Sequence, residues 1–362
     1  MKERNKMAQH KIANTRRQIE YDMLRCLALC AVIMVHVLGG GRNSLLSVHT
    51  REWLVLNCFY AVSTWEVPIF VMISGRFFLD EDRTVTIRQL FGKYIKRLII
   101  AFIVWTLVYQ LYALIRSILL GQGYLNVFGF IYECIVGEYH LWYIYMQIGL
   151  YLLTPFLRKI AEDKKLTQYY LVLFFVFSTL ESYGRYLPGL GGAVSTILDK
   201  SEIHLVLGYA GYYLMGYYLY KYPVSSGCEK LLYAVGGMML VFSCVSTTLY
   251  SRTMGKYTNW FVEYLMPSTI IEAAAIYTFF VKRVSRMPFS AKTAEIFAKF
   301  TELSFGAYLV HVLVQKLVLS TGLTPNAHPI IMVPALTFLI FSVSLLLTFL
   351  IRKIPVIGKI IT

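Results

Sequence analysis

Charge is scarce in this chain. Only 15% of its 362 residues are Asp, Glu, Lys or Arg, where a soluble globular chain carries about a quarter. With 57% of residues apolar, too few charges remain to solvate the surface, and an ordinary soluble protein is excluded. Acidic residues are the scarcer sign, 20 against 35 basic, for a net charge of +15. Cysteine spacing of the metal-binding kind is missing as well. The six cysteines, Cys26, Cys30, Cys58, Cys134, Cys228 and Cys244, form no CxxC and no Cys/His ligand set; four lie inside apolar runs, where a small core residue is expected. There is no phosphate-cradling Gly-rich loop, no GxGxxG and no internal repeat, so the usual nucleotide-binding folds and repeat architectures find no support.

What the chain has instead is long apolar runs. A spanning helix needs about 20 mostly apolar residues, and ten windows qualify: 21–40, 53–79, 98–120, 139–157, 166–183, 203–220, 231–250, 260–281, 303–320 and 330–351. The run 166–183, which ends in Glu181, Ser182 and Tyr183, is the least apolar. Val127 to Val136 is too short to span and reads as an interfacial or re-entrant helix. The expected fold is therefore an all-α polytopic membrane protein with about ten transmembrane helices. Alternating the connections from side to side puts 25 Lys and Arg on the side of the termini and 6 on the other. Basic residues accumulate on the cytoplasmic side, so both termini are expected in the cytoplasm. The positive charge is then mostly topology, and nucleic acid loses its claim as a partner.

Residues 1–20 read as a basic cytoplasmic leader, with no cleaved-signal pattern after it. Residues 21–351 read as one transmembrane domain and 352–362 as a short basic tail. No segment is left for a soluble catalytic module, so any chemistry is expected within or at the edge of the membrane.

Polar residues inside apolar runs are costly there and are functional candidates by default. The first run holds Asp22, Arg25 and His36. Arg25 and His36 are eleven residues apart, which places them on one face about 16 Å apart along a helix axis, and Asp22 is spaced to pair with Arg25. The second run contributes Glu66, then Ser74, Gly75 and Arg76. Two polar stripes at helical spacing follow, His140, Tyr143, Gln147, Tyr151 and Thr154 in one run and Ser304, Tyr308, His311 and Gln315 in another. They suit a shared hydrated cavity or interhelical hydrogen bonds. Glu263 and Glu272 lie half a turn out of phase, so one of them at most faces a given cavity. The connection from Asp80 ends in Lys93, Lys96 and Arg97, a cluster that suits anionic lipid headgroups or a phosphorylated substrate.

These pieces resemble the acyltransferase 3 family of bacterial integral-membrane acyltransferases, of the cell-surface polysaccharide O-acetyltransferase type. The resemblance rests on Tyr21-Asp22-Met23-Leu24-Arg25 leading to His36, an Arg-x10-His first helix. It continues through Val67 to Gly75 (VPIFVMISG), Lys93 to Leu98 (KYIKRL), His140-Leu141-Trp142-Tyr143 with Pro155, Gly216-Tyr217-Tyr218, and Ser304 to His311 (SFGAYLVH), in family order over nearly the whole chain. One departure stands out: the family often has Arg-x-x-Arg before its third helix, and here Tyr94 precedes Arg97 by three residues. Some relatives carry a further extracytoplasmic domain, which is not expected here.

The resemblance implies a multi-pass protein of the bacterial inner membrane that moves an acyl group, most often acetyl, from cytoplasmic acyl-CoA to a hydroxyl of a cell-surface or lipid-linked glycan. Acyl-CoA is then a co-substrate, no cofactor is permanently bound, and membrane lipid is the remaining partner. In this scheme His36, Arg25 and Glu66 are catalytic, with His36 a general base or an acylated nucleophile and Glu66 orienting or charge-stabilising it. Lys93, Lys96 and Arg97 meet the CoA phosphates, Ser74 and Gly75 let the pantetheine arm approach the backbone, and His140, Trp142, Tyr308 and His311 meet substrate. The competing readings are a transporter or flippase for a lipid-linked sugar, whose stripes line a path without chemistry, and a non-catalytic partner in glycan assembly.

Overall fold

The computed structural model describes residues 18–39, 47–121, 127–184, 187, 189–201, 208–322, 328–355, 358 and 360–362. Most of the leader and the start of the expected span 203–220 lie outside the described residues. Helices account for the fold, and no strand occurs among the described residues. In chain order they are α1 (Ile19–Gly39), α2 (Arg51–Ser63), α3 (Glu66–Phe78), α4 (Ile87–Leu119), α5 (Val127–Val136), α6 (Trp142–Glu162) and α7 (Lys164–Ser182). Then come α8 (Gly191–Ser201), α9 (Ala210–Lys221), α10 (Ser226–Met254), α11 (Pro267–Lys282), α12 (Ala291–Ser320) and α13 (Pro329–Arg352).

Seven helical stretches among the described residues are long and apolar enough to cross a membrane, rather than the ten expected. They are α1, α2 with α3, α4, α10, Trp260–Arg286, α12 and α13. The other three expected spans overlap helices of a different character. Helix α6 carries Gln147, Thr154, Arg158, Lys159 and Glu162 among its apolar residues, α7 begins Lys164-Lys165 and ends with Glu181-Ser182, and α9 has only 12 residues. The outer surface is apolar in the way lipid requires. Ile99, Ile103, Leu107, Leu111 and Ile115 recur every four residues on α4 and all are exposed, a stripe that water would not tolerate. Helix α5 has ten residues and is too short to span.

The second apolar run is broken just before Glu66. Pro68 has no N–H to reach the carbonyl four residues back, while Ser63 and Thr64 turn their hydroxyls onto the carbonyls of Phe59 and Tyr60 at 2.8 Å each. The chain therefore leaves the helix at Thr64–Trp65 and restarts at Glu66. The π-helical stretch Leu90–Ile95 similarly interrupts α4 just before Arg97.

Two apolar cores lie on either side of α1. Tyr21, Leu24 and Ala28 join Met72, Tyr213 and Tyr277 of α3, α9 and α11, whereas Leu29, Ile33 and Val37 join Trp105, Leu309 and Val333 of α4, α12 and α13. Helices α3 and α9 meet most closely: a Cβ on Gly75 would lie 1.8 Å from the Tyr213 carbonyl oxygen, and one on Gly216 would lie 2.0 Å from that of Met72. Reciprocal glycines thus let the two backbones touch.

Candidate active site

A cavity of about 320 Å³ runs inside the bundle beside α1. Its lining includes residues of α1, α3, α4, α6 and α12, together with Tyr264 just before α11. One end is basic and hydroxylated. Arg25, Arg97, Tyr94, Tyr151, Thr301 and Ser304 lie there, with Phe305 beneath the Arg97 guanidinium at 5.1 Å. Asp22 sits 3.9 Å from Arg25, the pairing that their spacing anticipates, and Phe77 lies 5.1 Å under the same guanidinium. Arg97 also donates to the main-chain oxygen of Thr362 at 2.6 Å. Tyr94 lines the cavity and accepts a hydrogen bond from Arg83 at 2.7 Å.

The other end holds histidines. His36 and His140 both line the cavity, and His311 lies against them, its ring centroid 4.9 Å from that of His36 and 5.1 Å from that of His140. The His36 and His140 rings are 6.3 Å apart. Residues from α1, α12 and the turn before α6, distant in sequence, therefore form one cluster. A hydrogen bond fixes the tautomer of His311, because a carbonyl can only accept. His311 Nδ1 donates to the Tyr308 carbonyl at 2.5 Å, which leaves its buried Nε2 as a lone pair without a partner among the described residues. His140 Nε2 lies 3.4 Å from the Leu309 carbonyl and 3.5 Å from the Tyr109 hydroxyl, and its buried Nδ1 has no partner among the described residues. Around them, Tyr308 donates its hydroxyl to the His140 carbonyl, and Gln315 donates to the His36 carbonyl at 2.8 Å. The His36 ring itself is half-buried and touches Tyr139 at 5.4 Å; among the described residues no hydrogen bond holds it.

Between these ends the wall is made by Phe70, Ser74, Tyr143 and Gln147. Tyr143 donates to Gln147 at 3.0 Å, and Ser74 turns its hydroxyl back to the Phe70 carbonyl at 2.9 Å, a local bond that neutralises it inside an apolar helix. Glu66 is 1% exposed and lines the cavity. Its Oε1 accepts from Tyr264 at 2.8 Å, its Oε2 is buried without a partner among the described residues, and none of the hydrogen bonds among the described residues joins it to His36.

Of the residues singled out in the sequence, Arg25, His36, Glu66, Ser74, Arg97, His140, Trp142 and Tyr308 thus line one cavity. His311 supports it from behind. Lys93 and Lys96 are exposed and outside the lining, and Gly75 faces Tyr213 rather than the cavity. Tyr264, the partner of Glu66 across 198 positions, carried no sequence signal. Arg76 is 2% exposed and is consumed structurally, bonded to Asp80 at 2.5 Å and lying 3.2 Å over the Tyr220 ring.

A family model described as an acyltransferase domain, that of the acyltransferase 3 family, matches residues 18–353. No curated protein and no solved structure matches the chain significantly.

Proposed function

Because this chain belongs to the acyltransferase 3 family, we propose that it transfers an acyl group, most simply acetyl, from cytoplasmic acyl-CoA to a hydroxyl of an extracytoplasmic or lipid-linked glycan. The observation that carries this reading is one cavity with arginines at one end and histidines at the other. Arg25 and Arg97 suit the CoA phosphates, since guanidinium pairs with phosphate through charge-assisted hydrogen bonds. The arm then runs past Ser74, Tyr143 and Gln147, and the helix rise of about 16 Å between Arg25 and His36 brings the thioester to the histidines.

In this scheme His36 takes the proton of the acceptor hydroxyl as its oxygen attacks the thioester carbonyl. The carbon–sulfur bond breaks, CoA leaves as thiolate, and the proton held by His36 passes to it. The products are an ester and free CoA. His311 acts as a positioning residue, its ring centroid 4.9 Å from that of His36 with the planes inclined by 38°, and its own tautomer fixed by Tyr308.

The bias of Lys and Arg, 25 against 6, supports cytoplasmic termini and hence a donor entrance facing the cytoplasm. With α6, α7 and the expected span 203–220 inserted beside the seven apolar spans, the chain crosses the bacterial inner membrane ten times. Lys93 and Lys96 then lie at the cytoplasmic surface, where they attract anionic lipid and the donor's phosphates at longer range. Purified protein given radiolabelled acetyl-CoA, with and without a crude lipid-linked glycan extract, tests the proposal. Label should move to the glycan fraction. A protein that binds both components and moves no label, or that moves glycan across a vesicle membrane without acetyl-CoA, would be a transporter instead.

A further inference from the structure

The proposed transfer step leaves Glu66 unused. Its Oε1 is held by Tyr264, and its Oε2 is unsatisfied among the described residues although Glu66 is only 1% exposed and lines the cavity. A buried acceptor without a donor costs about 1–3 kcal/mol, a cost that a ligand donating to it would remove. Beside it stands an aromatic wall. Trp142 and Tyr264 both line the cavity and are half-buried, with ring centroids 5.8 Å apart and planes inclined by 31°. Tyr209 packs on both, at 5.7 and 6.5 Å.

Position along the cavity narrows the ligand. Trp142 begins α6, two residues after His140 of the histidine cluster, so the wall belongs to the histidine end. The arginines are at the other end, where Arg25 meets Phe77 and Tyr94 meets Tyr151. An adenine stacked on Trp142 would hold its phosphates away from both guanidinium groups, the cations that pair with them. A pyranose has the matching chemistry: an apolar C–H face for the aromatic rings and hydroxyl donors along its edge for an oxygen that can accept.

We propose that Glu66, Tyr264 and Trp142 form the acceptor subsite, which takes a pyranose with its ring face on Trp142 and Tyr264 and a ring hydroxyl donating to Glu66 Oε2. Naming this sugar the acceptor rests on the acyl-transfer reading; the binding site itself does not. Glu66 is then a substrate-binding residue, and Tyr264 positions it.

The test uses the full chain in lipid nanodiscs. The probes are octyl β-glucoside, octyl β-galactoside and octyl N-acetyl-β-glucosaminide, each below its micelle-forming concentration. Three quantities are read: tryptophan fluorescence on glycoside addition, CoA release from acetyl-CoA, and acetyl-CoA binding. At least one glycoside should quench fluorescence saturably, and Trp142→Phe should remove the quench. Glu66→Gln and Trp142→Ala should each weaken that glycoside about ten-fold while changing acetyl-CoA affinity by less than about two-fold. Variants that weaken glycoside and acetyl-CoA equally, or an absence of saturable quenching with all three probes, would overturn the proposal. The two readings fail separately. Glycoside binding that depends on Glu66 without any CoA release keeps the subsite and removes the transferase, whereas glycoside-stimulated CoA release with an unchanged KM in both variants keeps the transferase and removes the subsite.

Discussion

Alanine at Gly75 would place a Cβ 1.8 Å from the Tyr213 carbonyl oxygen and 2.6 Å from its carbonyl carbon. Ordinary contact needs roughly 3.4 Å or more, so α3 and α9 would have to separate by about 1.5 Å. Overpacking a core usually costs about 1–3 kcal/mol when side chains can yield. Here the obstacle is helix backbone and cannot rotate away, which puts the cost at the upper end, about 3 kcal/mol. Gly216→Ala should cost the same, since its Cβ would meet the Met72 carbonyl at 2.0 Å from the other side of the crossing. Gly149→Ala in α6 is the control: nothing lies within 4 Å of its Cβ, and helix propensity alone should leave it unchanged or stabilised by up to about 1 kcal/mol. Heating each purified variant in detergent and following the folded fraction by size-exclusion chromatography measures the effect. Gly75→Ala and Gly216→Ala should lose their folded peak at a temperature lower by an amount on the order of 5 °C, with KM for acetyl-CoA unaltered in the protein that remains folded. A Gly75→Ala protein as stable as the parent but with a raised KM would refute the packing argument and return Gly75 to the path of the pantetheine arm.

Three further outcomes are expected. Arg97→Gln should raise KM for acetyl-CoA about ten-fold through loss of a charged phosphate contact in the cavity lining, whereas the double change Lys93→Gln with Lys96→Gln, outside that lining, should shift it only at low salt; steady-state kinetics at two ionic strengths separates the two. His311→Ala should lower kcat, by up to about a hundredfold if His36 loses its register, with donor KM preserved; an unchanged kcat would remove it as a positioning residue. Asp80→Ala would strip the 2.5 Å partner from the buried Arg76 and should destabilise the fold by about 3 kcal/mol, read as earlier thermal aggregation; unchanged stability would leave the Tyr220 ring as sufficient compensation.

Much of this site could be read from spacing, and the residues that could not share a reason. The stripes at steps of three and four put Tyr143, Gln147 and Tyr151 on one face of α6, with His140 in the turn before it, and Ser304 and Tyr308 on one face of α12, and all six line the cavity. Thr154 continues the first stripe yet bonds the Leu150 carbonyl and lies 3.1 Å from the Tyr213 hydroxyl, since periodicity places a residue on a face without saying which neighbour covers it. The apolar runs located the helices within a few residues, as with 21–40 against Ile19–Gly39, but α12 extends twelve residues before the expected 303. That extension carries Lys292, Glu295 and Lys299, and a hydropathy window ends where charge begins although the helix does not. Tyr264 and the Gly75–Tyr213 contact escaped because both depend on how helices distant in sequence cross. The span count diverged where a helix is short, as in α9 with 12 residues, or carries charge at its ends, as α6 and α7 do.

The central claim is that a donor held at the arginine end is attacked at the histidine end of the same cavity. It is tested most directly by comparing the parent protein with His36→Ala in one experiment that measures both acetyl-CoA binding and transfer of label to the glycan fraction. The account predicts that His36→Ala binds acetyl-CoA with the parent's affinity and transfers no label above background. Transfer by His36→Ala at the parent's rate would contradict it.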